Sequence, residues 1–368
     1  MDQSAIPVKL LVIAQSARML AQLAMNAGYR PVAIDCFADE DTRQLAVQTV
    51  RVSSLALCDV RPAILAMREK HGLTHLVYGS GFEHHTETLL YLEQDWRILG
   101  NSAALFRRVQ DKSAFFAQMA ILAIQCPETV FSAPTVGGDW LIKPRQGEGG
   151  LGISLYDPNG DAIIPGEIYW QRHLNGQAMS VLFLACNGQV RLLGFNRQWT
   201  ATIDDKHCFV FAGIRNRAEL SPAHRQLLSG WLAKLARVYP LKGLGSLDFM
   251  LVNDRCYLLE INPRIPASAQ LYGASIFSLH VQACLGKLGE CASAEPKGYQ
   301  IVYARKSLRV PDGLYWPEWA VDRPRAGSII GKGGPICSII AAGKTAEQVE
   351  NRLRRRQNFI EKLLNTGL

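Results

Sequence analysis

Apolar residues along the first hundred positions fall into two rhythms. Short, mainly apolar runs at Val8 to Ala14, Pro31 to Cys36 and His75 to Tyr78 have the length and composition of buried strands. Between them, Ala17 to Ala27 and the stretch near Arg61 to His71 repeat apolar residues at helical spacing. This order, βαβαβ, predicts a parallel sheet with helices on its faces. Further on, Glu87 to Gln94 and Ser102 to Leu122 read as helical, and Gly166 to Gln171 as a strand that leaves through a hinge-like segment, Arg172 to Gly176. Met179 to Cys186 and Gln189 to Asn196 flank Asn187-Gly188, a dipeptide suited to a tight hairpin turn. Ser221-Pro222 opens a helix whose Leu227, Leu228, Trp231, Leu232, Leu235 and Tyr239 form one apolar stripe.

One hairpin carries acids where a structural sheet avoids them. Leu247 to Val252 and Cys256 to Asn262 are strand-like runs separated by Asn253-Asp254-Arg255. With Val252 opposite Cys256, Met250 faces Leu258 and Asp248 faces Glu260, and the period of two puts Asn262 on the same face. Directly opposed residues have Cβ atoms roughly 4.5–5.5 Å apart, where like charges are destabilising unless something positive lies between them. Two carboxylates and an amide oxygen form the hard set that Mg²⁺ takes when it also meets phosphates. A surface hairpin with solvated acids is the plain alternative.

Two glycine-bearing turns add candidate anion sites. Tyr78-Gly-Ser-Gly-Phe-Glu83 stands where the third strand ends, so Gly79, Ser80 and Gly81 either offer backbone N–H groups to an anion or make a turn that needs glycine. Glu83, His84, His85 and Glu87 lack the spacing of a metal cluster. The first strand is followed by Ala14-Gln-Ser-Ala-Arg18 in place of a GxGxxG turn, which excludes a dinucleotide site there. Later, Lys143 on a strand precedes a loop with Gly147, Glu148, Gly149, Gly150 and Gly152. Glycines let the backbone fold over phosphates while the lysine supplies a point charge, although this is not a Walker A order.

Composition narrows the class. The 368 residues are 48% hydrophobic, which suits two or three globular domains, and no apolar run approaches the roughly 18 residues that cross a bilayer. The N-terminus lacks the pattern of a signal peptide, so a cytoplasmic protein with no membrane partner is expected. Nine cysteines without a CxxC pair read as reduced core thiols. A net charge of +8 favours anionic ligands; the run Arg352, Arg354, Arg355 and Arg356 reads as a solvated helix face.

The order of Lys112, Lys143 with its loop, Gln171, and then Asp248, Glu260 and Asn262 resembles that of the ATP-grasp ligases, from about Ser102 to Ala274. The preceding βαβ region is similar to that superfamily's Rossmann-like N-terminal domain. The resemblance implies an α/β and α+β fold with a pre-ATP-grasp domain at 1–103, a lid subdomain at 104–175, and a metal-binding subdomain with a C-terminal extension at 176–368. It implies ATP and Mg²⁺, with Mn²⁺ as an alternative. Lys112 and Lys143 would contact phosphates, Gly147 to Gly152 would form the lid, and Gln171, Arg172 and Leu174 would edge the adenine. Asp248, Glu260 and Asn262 would hold the metal. Arg264 would neutralise the transferred phosphoryl group. Asp248 and Gln171 depart from the commoner glutamates at both positions; the shorter Asp248 reaches less far toward a metal. The activity implied is amide formation through an acyl phosphate.

The Val77 to Glu83 turn and the C-terminal extension look most like the branch containing the tyramine–glutamate ligase of methanofuran biosynthesis. That implies glutamate joined to tyramine, tyrosine or a similar small amine. Glu83 and Arg215, with Gly79, Ser80 and Gly81, are the substrate candidates; Arg197, Arg215 and Arg305 could pair with substrate carboxylates or be surface charges. A biotin-carboxylase-like enzyme is the alternative of the same class; dimers are frequent among such ligases, so the resemblance allows a homodimer, though no residue here identifies the contacting surface. Ser328-Ile-Ile-Gly-Lys-Gly-Gly334 mimics the loop of an RNA-binding KH domain, with Gly331, Lys332, Gly333 and Gly334 as its core. Pro335 and the strand-like Ile336 to Ile340 follow at once, where a KH domain needs a helix, so no nucleic-acid partner is expected. Thr345 and Gln348 predict a capping box for a last helix bearing Val349, Leu353, Ile360 and Leu363.

Overall fold

The computed structural model describes residues 8–135, 139–158, 167–204 and 207–365. Its first part runs β1 (Lys9–Ala14), α1 (Arg18–Asn26), β2 (Arg30–Asp35), α2 (Glu40–Leu45), β3 (Gln48–Arg51), α3 (Leu57–His71), β4 (His75–Tyr78), α4 (Thr86–Asp95) and β5 (Arg97–Ile98). The strands form one parallel sheet in the order β3-β2-β1-β4-β5. Leu10 to Ile13 of β1 are fully buried, as a central strand covered on both faces must be. The sequence pattern does not predict α2, β3 or β5, because β3 is a half-buried Gln-Thr-Val-Arg and β5 is only two residues long. The loops after β1 and β4 part at the point where the strand order reverses, and Gln15 N–H bonds Ser80 O there at 2.9 Å. Open α/β sheets hold ligands at this edge.

The helical stretch predicted as one piece is two, α5 (Ala103–Gln110) and α6 (Lys112–Ile121). Asp111 leaves helical geometry and its carboxylate caps α6 by accepting Ala114 N–H at 3.1 Å. Lys112 thereby becomes the first residue of a helix. β6 (Thr129–Val130), β7 (Trp140–Pro144), β8 (Ser154–Leu155) and β9 (Ile168–Arg172) form an antiparallel sheet in the order β6-β9-β7-β8. Gly166, predicted to begin β9, lies outside the described residues.

The rest of the chain contributes β10 (Gln177–Cys186), β11 (Gln189–Ala201), β12 (Val210–Arg215), α7 (Pro222–Val238), β13 (Gly243–Val252), β14 (Arg255–Asn262), α8 (Ile276–Cys284), β15 (Lys297–Tyr303), β16 (Leu308–Arg309), β17 (Ala320–Val321), β18 (Ile329–Ile330), β19 (Pro335–Ala342) and α9 (Ala346–Asn365). An eight-stranded antiparallel sheet runs β14-β13-β10-β11-β12-β15-β19-β17. Strands of the C-terminal extension thus continue the sheet that holds the acidic hairpin. α7 packs Leu228, Trp231, Leu232, Leu235 and Tyr239 into the core, whereas Leu227, at the margin of the predicted stripe, is 41% exposed. α9 buries Val349, Leu353 and Ile360, and Thr345 Oγ1 accepts Gln348 N–H at 3.2 Å.

Of three sequence readings, one holds and two change. Ser328 to Gly334 does not join two helices: β18 pairs with β16, and β19 begins at Pro335, so the KH resemblance is confined to glycine spacing. Of the nine cysteines only Cys186, Cys256 and Cys337 are buried, and Cys58 is exposed. Among the described residues no helix is long and apolar enough to cross a membrane.

The acidic hairpin is the third. Its loop is Asn253-Asp254 alone, both at positive φ (46° and 62°), and Val252 pairs with Arg255 rather than Cys256. A register shift between Asp248 and Phe249 then absorbs Leu259, so that Phe249 faces Leu258 while Asp248 still faces Glu260. The opposed acids follow because two offsets of one residue cancel. Asn262 faces Ser246, on the same side as both acids.

Candidate active site

A cavity of about 1460 Å³ opens between the β6–β9 sheet, the eight-stranded sheet and the C-terminal edge of the parallel sheet. Lys112, Lys143, Gly147, Glu148, Gly149, Gly150, Gln171, Arg172, Leu174, Asp248, Glu260, Asn262 and Arg264 all line it, as do Gly79 and Ser80. Residues spread over most of the chain therefore meet in one space.

At the hairpin end, Lys112 Nζ donates to Glu260 Oε2 at 3.2 Å, and Asn262 Nδ2 donates to Asp248 Oδ2 at 3.0 Å. Burial pushes the Glu260 carboxyl up, yet Lys112, Lys143 and Arg264 outweigh it and hold the group below the usual range. Asp248 has less help. Burial and the neighbouring Glu260 raise its carboxyl to about 7, against the pull of Arg264 and hydrogen bonds from Ser246 and Asn262. An opposed acid pair in which one member resists ionisation fits a site completed by a cation. Asp248, Glu260 and the Asn262 amide oxygen match Mg²⁺ in donor chemistry.

Lys143 donates from Nζ to Gln171 Oε1 at 3.0 Å, with the ammonium 5.9 Å from the centre of the Tyr169 ring. Burial and Lys112 lower its pKa to about 8, while Glu260 and Asp248 act to keep it charged. Gln171, 1% exposed, in turn donates to Thr129 Oγ1 at 3.0 Å. This leaves Gln171 oriented by both neighbours at the lip of the cavity. Arg172 follows with its guanidinium 4.2 Å over Trp140 and paired to Glu128 at 3.0 Å; its N–H is taken by Glu128 O, and it is the strand end leading to Leu174 that faces the cavity.

The glycine loop lies against the leading edge of β12. Phe211 N–H bonds Gly149 O at 2.8 Å, and a Cβ on Gly150 (φ +75°) would stand 2.0 Å from Phe209 O. Close approach of the two backbones requires glycine there. Gly152, also at positive φ, turns the loop back beside Pro144 and does not line the cavity.

Arg264 is buried and held from behind: its Nε donates to Glu83 Oε1 at 2.8 Å, and Glu83 Oε2 accepts Gly81 N–H at 2.8 Å. Despite burial, Glu83 and Glu148 raise the guanidinium pKa further. Burial and the Glu83 charge also lift the Glu148 carboxyl to about 7. Glu83 and Gly81 thus stand behind the wall as supports for Arg264, not as residues facing a ligand. A Cβ at Gly81 would strike Leu55 and Gln15, so the turn requires glycine there; Gly79 and Ser80 line the cavity, while the Gly79 and Gly81 N–H groups are taken by Ile13 O and Glu83 Oε2.

Arg215 is not brought to the cavity. Its Nε pairs with Glu350 Oε1 at 2.6 Å beside Arg197, around a separate hollow of about 280 Å³. Arg305 is 79% exposed and pairs with Glu361 at 3.1 Å. Sequence reasoning missed Gln198, whose Nε2 lies 3.5 Å from Asp248 Oδ1, and the buried Ser180–Asn196 pair beneath the acids, bonded at 3.1 Å. Ser180 and Asn196 were visible as polar residues at the ends of apolar strand runs, whereas Gln198 lies beyond its run and gave no signal.

Two antiparallel sheets closing on a lysine- and acid-lined cavity, behind a Rossmann-like sheet, constitute an ATP-grasp architecture. Residues 109–268 match the ATP-grasp domain family. An uncharacterized protein of Methanocaldococcus jannaschii is 21% identical over 261 residues, 66% of this chain and 63% of that one. The match thus spans slightly less than two thirds of that relative's length. Among solved structures, the biotin carboxylase domain of 2-oxoglutarate carboxylase from Hydrogenobacter thermophilus, a dimer with MgADP, ADP and bicarbonate, superposes with a TM-score of 0.73 at 15% identity, covering 94% of this chain and 88% of that one. N5-carboxyaminoimidazole synthetase from Staphylococcus aureus, complexed with ADP, gives 0.71 at 16% identity, covering 97% and 99%. At such identities the likeness establishes the fold.

Proposed function

We propose that this chain is an ATP-dependent carboxylate–amine ligase. The observation that carries the reading is the single cavity in which the opposed Asp248 and Glu260 meet Lys112, Lys143 and Arg264 beneath the Gly147 to Gly150 loop. Lys112 and Lys143 would hold the phosphates, and Gln171 with the strand end to Leu174 would hold the adenine. Asp248, Glu260 and Asn262 would hold Mg²⁺, whose charge would be set against the phosphate oxygens. A substrate carboxylate oxygen would attack the γ-phosphorus as the bond to ADP breaks. Arg264, kept in place by Glu83, would face the negative charge on the transferred group. The amine nitrogen would then bond to the acyl carbon, and phosphate would leave. Positioning and charge neutralisation supply the acceleration, and no side-chain nucleophile is needed.

The finer assignment is glutamate joined to tyramine or tyrosine in a methanofuran-type pathway, supported by the Val77 to Glu83 turn, whose Gly79 and Ser80 line the cavity. Carboxylation with bicarbonate is the second reading, favoured by bicarbonate in the Hydrogenobacter structure. ADP release with Mg²⁺ decides between them. The ligase requires a carboxylate and an amine together, glutamate with tyramine first among the pairs; dependence on bicarbonate instead selects the second reading. Confirmed ATP binding without turnover for any pair would sink the assignment. Association as a homodimer belongs to the same proposal and is measured by sedimentation.

A further inference from the structure

Beyond the nucleotide groups the cavity continues to the C-terminal edge of the parallel sheet, where Asp39 and Asp322 stand on its lining together with Arg18, Arg51 and Arg325. Asp35, at the end of β2, and the nearby Asp39 and Asp41 are joined by Asp322, which follows β17. Three of these four have partners. Asp35 accepts N–H groups of Ala17 (2.9 Å), Phe37 (2.6 Å) and Ala38. Asp41 accepts those of Asp322 (2.9 Å) and Arg323 (3.0 Å). Asp322 takes Arg18 Nε at 2.9 Å and the Tyr299 hydroxyl at 3.3 Å, and Arg18 spends its remaining reach on Gln270 at 3.0 Å.

Asp39 differs from them. It is 8% exposed, it lines the cavity, and among the described residues no hydrogen bond or ion pair reaches its carboxyl. Burial, Asp322, Asp35 and Asp41 push that carboxyl up to about 8, with Arg18 acting the other way. Arg51 and Arg325 are the other cations on this part of the lining, and Arg51 Nε is engaged with Cys36 O at 3.1 Å. A buried carboxyl left without a partner costs stability, and such groups cluster where a ligand supplies what is missing.

We propose that this wing of the cavity is a subsite for an organic ammonium group, with Asp39 as its counter-charge. The cavity, about 1460 Å³, exceeds the roughly 300–1,000 Å³ of a pocket for one small ligand and has room for a second beside a nucleotide. A metal ion is the poorer occupant, because among the described residues no group of three or more His, Cys, Asp or Glu is arranged to hold one. Phe37 and Met19 on the same lining suit the carbon skeleton of an amine. On the ligase reading the occupant is the acceptor amine; this role rests on that reading, whereas ammonium binding does not.

The test is calorimetric titration of the full chain, with MgADP present, against methylamine, 1,4-diaminobutane, 2-phenylethylamine and tyramine, each paired with the alcohol of the same skeleton. At least one amine is expected to bind tenfold or more tightly than its alcohol. Asp39→Asn should reduce that preference to within twofold with MgADP affinity unchanged, and Asp39→Glu should retain it. Equal binding of every amine and its alcohol, no binding of any amine, or a preference that survives Asp39→Asn overturns the subsite. The amine–alcohol comparison on the unmodified protein needs no variant to fold. Amine binding without ADP release in any carboxylate–amine pair would leave the subsite standing and remove the ligase reading.

Discussion

Asp248 and Glu260 face each other yet hold protons differently, because Lys112 and Lys143 serve Glu260 more than Asp248. With Asp248 raised to about 7, a proton competes with Mg²⁺ below that pH. Mg²⁺ affinity measured from pH 8 to 5.5 should be flat at the top and fall by about tenfold per unit below 7; a flat profile throughout would contradict the metal role of Asp248. Lys143 titrates in the opposite sense. Its pKa, lowered to about 8, means the free protein loses this charge as pH rises through 8, so if Lys143 holds phosphate as proposed, ATP affinity should decline toward pH 9. Lys143→Arg should abolish that decline, and Lys143→Ala should weaken ATP binding at pH 7 by about 1.5–3 kcal/mol. Unchanged affinity in the alanine variant would remove Lys143 from the site. Asp39 makes a stability prediction. Its folded pKa of about 8 lies above the unfolded value, so the native state keeps a proton that the unfolded chain loses, and wild-type stability falls as pH rises from about 4 to 8. Asp39→Asn should therefore melt higher than wild type, by a margin that grows from pH 5 to pH 9; an equal margin at both would show that the carboxyl is not strained. Asp248, Glu260 and Lys143 were legible in the sequence because each sits in a strand of clear period. Asp39 was not, since its meaning depends on Asp322, Asp35 and Asp41 gathering around it.

Elements differ in the same way. Long apolar strands and the stripe of α7 announce themselves, whereas β5, β6, β8 and β16 to β18 are two residues long and have no period to read. The hairpin shows how turn chemistry and register separate: Asn253-Asp254 shortens the loop, and the bulge at Leu259 returns Asp248 to Glu260. Glycines between β7 and β8 mark a loop that can fold over a ligand, but only the fold reveals what it lies against. Gly150 lies against Phe209 O, and Gly149 O accepts Phe211 N–H. Gly150→Ala forces the loop away from β12, both by contact and by its positive φ. ATP should bind several-fold more weakly, with the melting temperature nearly unchanged because the loop is outside the core. Wild-type ATP affinity in that variant would show that the seated loop has no part in holding nucleotide.

At the scale of the molecule, the cavity exists because the C-terminal extension returns to the N-terminal sheet. Arg18 and Asp322, 304 residues apart, form a buried pair at 2.9 Å; Asp41 caps the Asp322 and Arg323 N–H groups, and Glu40 N–H bonds Arg323 O at 2.8 Å. No local pattern announces such a contact, which is why the sequence placed the extension in the nucleotide-binding unit and did not see it walling the far wing. The pair also helps to keep Asp322 ionised: burial raises its carboxyl, but Arg18 with hydrogen bonds from Ser338 and Tyr299 brings it below the usual range. Removing one partner of a buried pair leaves an uncompensated charge, so Arg18→Met should cost about 3–5 kcal/mol in urea unfolding. Asp322→Asn added to it should recover most of that loss, because the stranded charge is gone; a double mutant no more stable than Arg18→Met would show that Arg18 acts through its packing instead. The double variant should still bind MgADP, because the lysines and acids proposed to hold it lie on other elements, while the amine preference around Asp39 changes with the wall that Asp322 provides. A cycle in which nucleotide and amine binding fall together would mean that the extension holds the whole cavity open, not the far wing alone.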